Sequence, residues 1–190
     1  MTAQIVAVVL AVVLVLGLVT VWLSSTAGRL DRLHIRLATA QASLDRQLVD
    51  RSAAAAEVAH SGALDPAGSV LLLGAAESAR QAGPDREVAE SALSADLRAV
   101  LGAEDAVDAA WRHESVRPLL IELAACCDRV RLARRFHDDL VTRTQAVRHR
   151  RVVRLVRLAG HAAWPVVVDF DDEPPQALLA RADGWKQRIS

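Results

Sequence analysis

The sequence has few of the residues on which many binding and catalytic sites depend. Its 190 residues include no tyrosine, one methionine, two phenylalanines and two cysteines. The formal net charge is zero, so the chain lacks the overall positive field expected of a dedicated nucleic-acid-binding domain. Lys186 is the single lysine, and we attribute the excess of arginine and small apolar residues to GC-rich coding rather than to chemistry. The length predicts one domain.

Candidate catalytic and metal-binding residues are also sparse. Cys126 and Cys127 are neighbours, and adjacent helical residues point about 100° apart, so a disulfide between them would be strained. We predict two small apolar side chains in a reducing compartment. The histidines fall at no metal-ligand spacing, and no glycine-rich phosphate loop follows a predicted strand. The sequence thus predicts no catalytic residue, cofactor or metal, and an uncharacterised enzyme is kept as an alternative function.

A long hydrophobic run lies near the N-terminus. Residues 5–23, IVAVVLAVVLVLGLVTVWL, carry no charge, and as a helix they would extend about 28 Å, enough to cross a bilayer core. Trp22 lies at the end of the run, where an indole ring prefers the headgroup layer. We predict a transmembrane anchor over residues 1–24. A cleaved signal peptide is the alternative, since residues 25–27 are small, but the basic region that opens such peptides is missing.

The charges that flank this run predict its orientation. Arg29, Arg32 and Arg36 follow the run, and no basic residue precedes it. Positively charged flanks stay on the cytoplasmic side of a membrane. We therefore predict a single-pass protein of the cell membrane with its N-terminus outside and the bulk of the chain in the cytoplasm.

Helical periodicity continues through most of the remaining chain. Apolar residues spaced alternately by three and four predict a first helix that ends near His60. Asp65 and Pro66 predict the N-cap and first residue of a second helix. Further helices are predicted after Pro84, over residues 104–117, and over residues 119–158, where Pro118 either kinks the chain or opens the helix.

The predicted fold class is all-α. An N-terminal transmembrane helix precedes an antiparallel up-down helical bundle with two long helices over residues 25–160, and residues 161–190 form a marginal C-terminal tail. In the last long helix one seven-residue series runs from Leu119 through Cys126 to Val147, and a second begins with Leu123 and Val130. Two interleaved series predict packing against another long helix.

Four polar residues interrupt the apolar faces of the two long helices. They are Gln47, Arg51, His137 and Thr144. Because an unsatisfied polar group on a packed face costs on the order of 1 to 3 kcal/mol, we predict that they form an interhelical polar layer, which can fix helix register. An antiparallel arrangement with Leu30 opposite Leu158 would bring Arg51 near His137 and Gln47 near Val141. A functional polar site of Arg51, His137 and either Asp138 or Asp139 is the alternative.

The stretch RHRRVVRLVRLAG, residues 148–160, is amphipathic. Arg150, Arg154 and Arg157 share one helical face, and an antiparallel bundle would return this end of the helix toward the membrane. An anionic leaflet attracts each suitably placed arginine by about 1 kcal/mol, so these three are candidate contacts to anionic lipid headgroups. A solvated helix end is the favoured interpretation of the stretch, and lipid contact is its alternative. Nucleic-acid binding is the least favoured interpretation, because the stretch lacks interleaved aromatic residues.

Three motifs resemble the LemA family of small bacterial membrane proteins. They are LDRLHIRLATAQASLDRQLVDR at 30–51, ARRFHDDLVTR at 133–143 and AAWPVVVDFDDEPP at 162–175. The chain has His137 and Asp138 where the family commonly has Tyr and Asn. The resemblance implies an N-out, C-in anchor that carries a cytoplasmic antiparallel bundle with no established catalytic activity. We therefore predict a membrane-anchored scaffold or interaction module for an unknown protein partner.

Overall fold

The chain folds into helices joined by short irregular segments. The computed structural model describes residues 2–81, 83–148 and 164–189, and over these ranges it contains no strand. The predicted all-α fold class is confirmed. The chain divides into two compact units, one formed by Met1–Thr39 with Asp139–Val166 and the other by Ala40–Asp138 with Val167–Ser190.

Six α-helices and one 3₁₀-helix are found in the described residues. The α-helices are α1 (Thr2–His60), α2 (Pro66–Gln81), α3 (Arg86–Leu101), α4 (Glu104–Trp111), α5 (Arg117–Arg148) and α6 (Gln176–Ile189). The 3₁₀-helix, Glu114–Val116, lies between α4 and α5.

The start of α2 confirms the predicted cap. The Asp65 carboxylate accepts a hydrogen bond from the backbone N–H of Gly68 at 2.9 Å, and Pro66 takes the first helical position, where its missing N–H costs nothing. The predicted helix over 104–117 is wrong, because α4 ends at Trp111. Trp111 and Val116 are both buried, and five residues of continuous helix would place them about 140° apart; the break turns both side chains into the core.

The N-terminal part of α1 is apolar and exposed. The segment Gln4–Trp22 is a helix long and apolar enough to cross a membrane, and none of it is buried within the protein. The same helix continues without interruption to His60. Its C-terminal part contributes Leu44, Leu48 and Val58 to the buried core.

The main core lies within the unit formed by residues 40–138 and 167–190. All six α-helices contribute to it, α1 through its C-terminal part only. The buried residues include Val58, Leu72, Leu97, Trp111, Leu123 and Leu178. Each buried leucine contributes about 1.5 to 3 kcal/mol relative to an exposed one. Helices α1 and α5 run antiparallel, as predicted, and Leu44 and Leu48 meet Val130 in a second, smaller cluster.

The buried face of α5 differs by one residue from the predicted heptad frame. One predicted series, Leu123, Val130, His137 and Thr144, is buried throughout. The other buried series begins at Leu120 rather than Leu119 and passes through Cys127 to Val141. Because residues 119 and 120 are both leucine, the sequence is compatible with a buried series that begins at either one. The packing of the helix selects the series that begins at Leu120. The predicted extension of this helix to residue 158 lies outside the described residues.

The prediction of a marginal tail is wrong for residues 167–189. Leu178 and Ala182 of α6 are fully buried in the main core, and Trp185 packs against it. The Trp185 ring meets the Trp111 ring edge-on with 6.2 Å between centroids. Residues 178, 182 and 185 follow the spacing of an amphipathic helix, a signal that is weak in so short a segment.

Candidate functional site

An irregular segment before α6 is held across the helices by side chains. We call this segment, residues 167–173, the strap. It has neither helical nor strand hydrogen bonding, so its backbone polar groups need other partners. Side chains of α3 and α5 supply them.

Helix α3 binds the strap through three polar side chains. Glu87 accepts a hydrogen bond from the backbone N–H of Asp169 at 3.2 Å. Ser91, one turn further along, accepts one from the backbone N–H of Asp171 at 3.0 Å. Arg98 donates to the backbone carbonyl of Glu173 at 2.7 Å and also to the Asp171 carboxylate. Residues 87, 91 and 98 share one face of α3, and that face follows the strap.

Helix α5 binds the other side of the strap through the ARRFHDD motif. Arg134 donates to the backbone carbonyl of Phe170 and, at 2.9 Å, to the Asp172 carboxylate. Asp138, one turn further along, accepts a hydrogen bond from the backbone N–H of Val168 at 3.2 Å. The Arg134 guanidinium also lies 4.9 Å from the centroid of the Phe170 ring, within the range of a cation–π contact.

Phe170 anchors the strap in the apolar interior. Only 4% of its surface is exposed, and it packs with Leu44, Leu48 and Val130. The strap thus combines one buried aromatic side chain with backbone hydrogen bonds to polar side chains. We call the surface that holds it the strap groove; it consists of Glu87, Ser91, Arg98, Arg134 and Asp138 above this apolar floor. Its side chains bind an extended segment of the chain.

No protein-family model, curated protein or solved structure matches this chain.

The predicted interhelical polar layer does not form as proposed. Arg51 is buried with 2% of its surface exposed, but it binds α3 instead of His137. Its guanidinium lies 2.7 Å from the Glu90 carboxylate and 2.9 Å from the Ser94 hydroxyl. The prediction considered only the two long helices, whereas α3 supplies the carboxylate that compensates the buried charge.

The predicted register of α1 against α5 is also wrong. The Gln47 side-chain oxygen accepts a hydrogen bond from Arg129 at 3.0 Å, rather than lying near Val141. These two positions on α5 are twelve residues apart, or about 18 Å along the helix. The spacing of apolar residues within each helix does not by itself fix how far one helix is displaced along the other.

The remaining members of the predicted layer are buried but have local partners. The His137 ring nitrogen Nδ1 lies 3.1 Å from the Asp138 carboxylate, and the Thr144 hydroxyl donates to the backbone carbonyl of Leu140 at 2.7 Å. Asp139 pairs with Arg143 at the surface. Arg51 and His137 therefore do not share one polar site. The candidate lipid contacts Arg150, Arg154 and Arg157 lie outside the described residues.

The strap groove contains residues that the sequence did not single out. Arg98, Glu87 and Ser91 on α3 are new members of the groove, and the carboxylates at 171 and 172 are the strap groups that its arginines bind. The acidic run DFDDE is visible in the sequence, but 22 arginines are available to pair with it, so no spacing rule identifies Arg98 and Arg134 as its partners. No cluster of three or more metal-ligating side chains occurs in the described part of the chain.

The Asp171 carboxylate makes attachment of the strap sensitive to acid. The hydrogen bond from Arg98 lowers the pKa of Asp171 below its usual 3.8. A lowered carboxyl pKa contributes stability that is present above the unfolded-state value and is lost as the pH falls through the folded-state value. We expect the NMR shifts of the strap amides 168–171 to change as the pH falls below about 3.8, measured on the full chain in detergent.

Two variants separate this effect from general acid unfolding. Asp171→Asn removes the titrating group and should reduce the acid-dependent change in the strap amides. Glu173→Gln should preserve that change, because Glu173 is bound through its backbone rather than its exposed carboxylate. An unchanged acid response in Asp171→Asn would contradict the assignment.

The two cysteines are buried and free. Burial raises the pKa of both thiols to about 11, and Arg129 donates to the Cys126 sulfur at 3.0 Å. The thiolate is the reactive form, and at pH 8 about one thiol in a thousand would be ionised.

We expect iodoacetamide to modify neither cysteine of the native full chain and both in denaturant, measured by mass spectrometry. A cysteine introduced as Val70→Cys, at an exposed position, is the positive control; rapid native labelling of Cys126 would refute the prediction.

Proposed function

We propose that this protein is a membrane-anchored, non-enzymatic helical-bundle protein that acts as a scaffold or interaction module at the inner face of a bacterial cell membrane. The observation that carries the proposal is the continuity of α1. One helix contains the exposed apolar segment Gln4–Trp22 and, further along, core residues such as Leu48 and Val58. Because the two share a helix, a membrane-inserted N-terminal segment would tether the bundle to the bilayer.

The charges that flank the apolar segment support the proposed orientation. Arg29, Arg32 and Arg36 follow the apolar segment, whereas residues 1–4 contain no lysine or arginine; this asymmetry favours an outside N-terminus and a cytoplasmic bundle. The resemblance of three motifs to the LemA family supports the same arrangement. Two of these motifs, ARRFHDD and VVVDFDD, contact one another in the strap groove.

A non-enzymatic role is supported by the use of the buried polar side chains. Arg51 joins α1 to α3, and Arg134 and Asp138 join α5 to the strap. These groups hold one segment of the chain to another. Arg51 and Asp138, two members of the alternative functional polar site, are therefore engaged in structural contacts.

Membrane extraction and protease protection test the proposal. We expect the full chain, expressed in a bacterium, to remain in the membrane fraction after carbonate extraction. Protease added outside spheroplasts should leave α2–α6 intact. Leu14→Arg, which places a charge in the middle of the apolar segment, should reduce membrane retention, whereas Val70→Arg at an exposed site of α2 should not.

Two outcomes would contradict the proposal. Release of the wild-type chain by carbonate would refute the anchor. Degradation of the bundle by external protease in intact spheroplasts would refute the orientation. Mass spectrometry of the mature chain distinguishes a retained anchor from a cleaved signal peptide, which would remove about the first 27 residues.

A further inference from the structure

The strap is held in the way that a peptide is held in a binding groove. Its contacts to α3 and α5 are mainly hydrogen bonds between side chains of the helices and the backbone of the strap. Recognition of an extended peptide by this means combines backbone hydrogen bonds for affinity with pockets for individual side chains. Phe170 fills the pocket, and Arg98 and Arg134 bind the acidic residues on either side of the main chain.

We propose that the strap groove is a binding site for an extended acidic segment of a partner protein, in which an aromatic residue is followed by two acidic residues, and that this segment replaces the strap. The inference rests on the proposed function as an interaction module and names the surface through which the interaction occurs. The strap is then an internal occupant of the site.

The composition of the groove defines the chemistry of the ligand. Arg98 and Arg134 require carboxylates. Arg98 binds the Asp171 carboxylate, and Arg134 binds that of Asp172 at 2.9 Å with Asp169 at 4.0 Å. The pocket beneath Arg134 requires an aromatic ring, since it joins an apolar floor to a cation–π contact. Glu87, Ser91 and Asp138 accept backbone N–H groups, and they therefore exclude proline at the corresponding ligand positions without selecting a side chain.

The polar contacts of the strap are of a kind that a competing segment can replace. Arg98 and Asp171 keep 31% and 40% of their side-chain surfaces exposed, and Asp169 is almost wholly exposed. Ion pairs this close to solvent contribute little net stability. A second segment with the same chemistry would exchange these contacts one for one. The main advantage of the strap over a separate segment is its covalent connection to the bundle. For short flexible links, such a connection gives an effective concentration on the order of millimolar.

This competition predicts that weakening the strap exposes the site. The test uses the purified full chain in detergent and a fluorescein-labelled peptide of residues 166–173, VVVDFDDE. In the double variant Phe170→Ala/Asp171→Asn the strap loses its aromatic anchor and one carboxylate, while every groove side chain is kept. We expect this variant to bind the peptide at least tenfold more tightly than the wild type by fluorescence anisotropy.

Groove variants and a modified peptide test the assigned contacts. Arg134→Gln, added to the strap-weakened variant, should lower peptide affinity at least tenfold, whereas Arg80→Gln on the exposed face of α2 should leave it unchanged. A peptide with Phe→Ala and Asp→Asn replacements should not bind. Asp171→Asn/Asp172→Asn, which retains the Phe170 core contacts, is the second strap-weakened variant and replaces the first if that one fails to fold.

Hydrogen exchange of the strap amides identifies the outcomes that overturn the inference. The site would be refuted if the strap amides exchange freely in a strap-weakened variant that still does not bind the peptide. It would also be refuted if the strap amides stay protected from exchange in both strap-weakened variants. Equal binding by Arg134→Gln would refute the contact assignment. A wild-type dimer that disappears in Phe170→Ala would identify the competing segment as the strap of a second copy and overturn the partner assignment.

These outcomes are distinguishable from failure of the proposed function. The peptide measurement is made in detergent and does not depend on membrane targeting in the cell. A chain that binds the peptide but is released by carbonate would refute the anchor alone. A chain that is anchored as proposed but ignores the peptide would refute the groove alone.

Discussion

Replacing Arg51 by methionine is expected to lower the free energy of unfolding by about 3 to 5 kcal/mol, because the buried Glu90 carboxylate loses its close partner and keeps only Arg86, at 4.0 Å. Arg51 and Glu90 each have only 2% of their side-chain surface exposed to solvent. The Arg51 guanidinium lies 2.7 Å from the Glu90 carboxylate. Methionine fills a similar volume but offers no donor to the Glu90 carboxylate. Chemical denaturation of the full chain in a fixed detergent concentration, followed by far-UV circular dichroism, measures the loss.

The double variant Arg51→Met/Glu90→Met is expected to recover most of that loss. Replacing both partners of a buried ion pair by apolar residues is often neutral, whereas removing one partner is costly. Ser94 keeps a partner in both variants, since its hydroxyl donates to the backbone carbonyl of residue 90 at 3.1 Å. Arg80→Met, at an exposed arginine, should change stability by less than about 0.5 kcal/mol. A cost below about 1 kcal/mol for Arg51→Met would show that the pair is dispensable.

The cost of Arg51→Met should depend on pH. Burial raises the pKa of Glu90 above its usual value, and the neighbouring Arg51 opposes this effect. A raised carboxyl pKa contributes stability below the unfolded-state value, and this contribution is lost as the pH rises through the folded-state value. Without Arg51 the pKa should rise further. The destabilisation by Arg51→Met should therefore shrink in mildly acidic solution, where Glu90 takes up a proton and no longer places a charge in the interior.

The helix pattern of this protein is largely visible in its sequence. Pro66 and the capping carboxylate of Asp65 define the start of α2, and apolar periodicity predicts both long helices. These features are local, so a single segment contains the information. The boundary at Trp111 escaped prediction because the periodic pattern continues through it, and only the burial of both Trp111 and Val116 in one core requires the break.

The partners of the polar residues were not predictable from the same pattern. The sequence shows that Arg51 interrupts an apolar face, and the structure confirms that it is buried. Its partner is a carboxylate on α3, a helix that the two-helix register did not include. The strap groove was missed for a related reason, since its members come from three segments and no periodicity links Arg98 and Arg134 to the acids at 171 and 172.

Two kinds of contact attach α6 to the bundle, and they differ in strength. Arg181 pairs with Asp108 at 3.2 Å and lies 5.5 Å from the centroid of the Trp111 ring. The pair is exposed, with 39% and 54% of the two side-chain surfaces open to solvent, so its net contribution is small. Leu178 is fully buried. Apolar burial should therefore dominate the attachment of α6.

Leu178→Ala is accordingly expected to lower the free energy of unfolding by about 2 to 5 kcal/mol, the range for a leucine truncated within a packed core. The substitution removes apolar contacts and leaves a cavity where α6 packs on α3 and α4. Val70→Ala, at a site where 74% of the side chain is exposed, is the matched control and should change stability by less than about 0.5 kcal/mol. Denaturation under the conditions used for Arg51→Met measures both. If Leu178→Ala resembled its control, the C-terminal residues would be a marginal tail after all, and α6 would contribute nothing to positioning the strap.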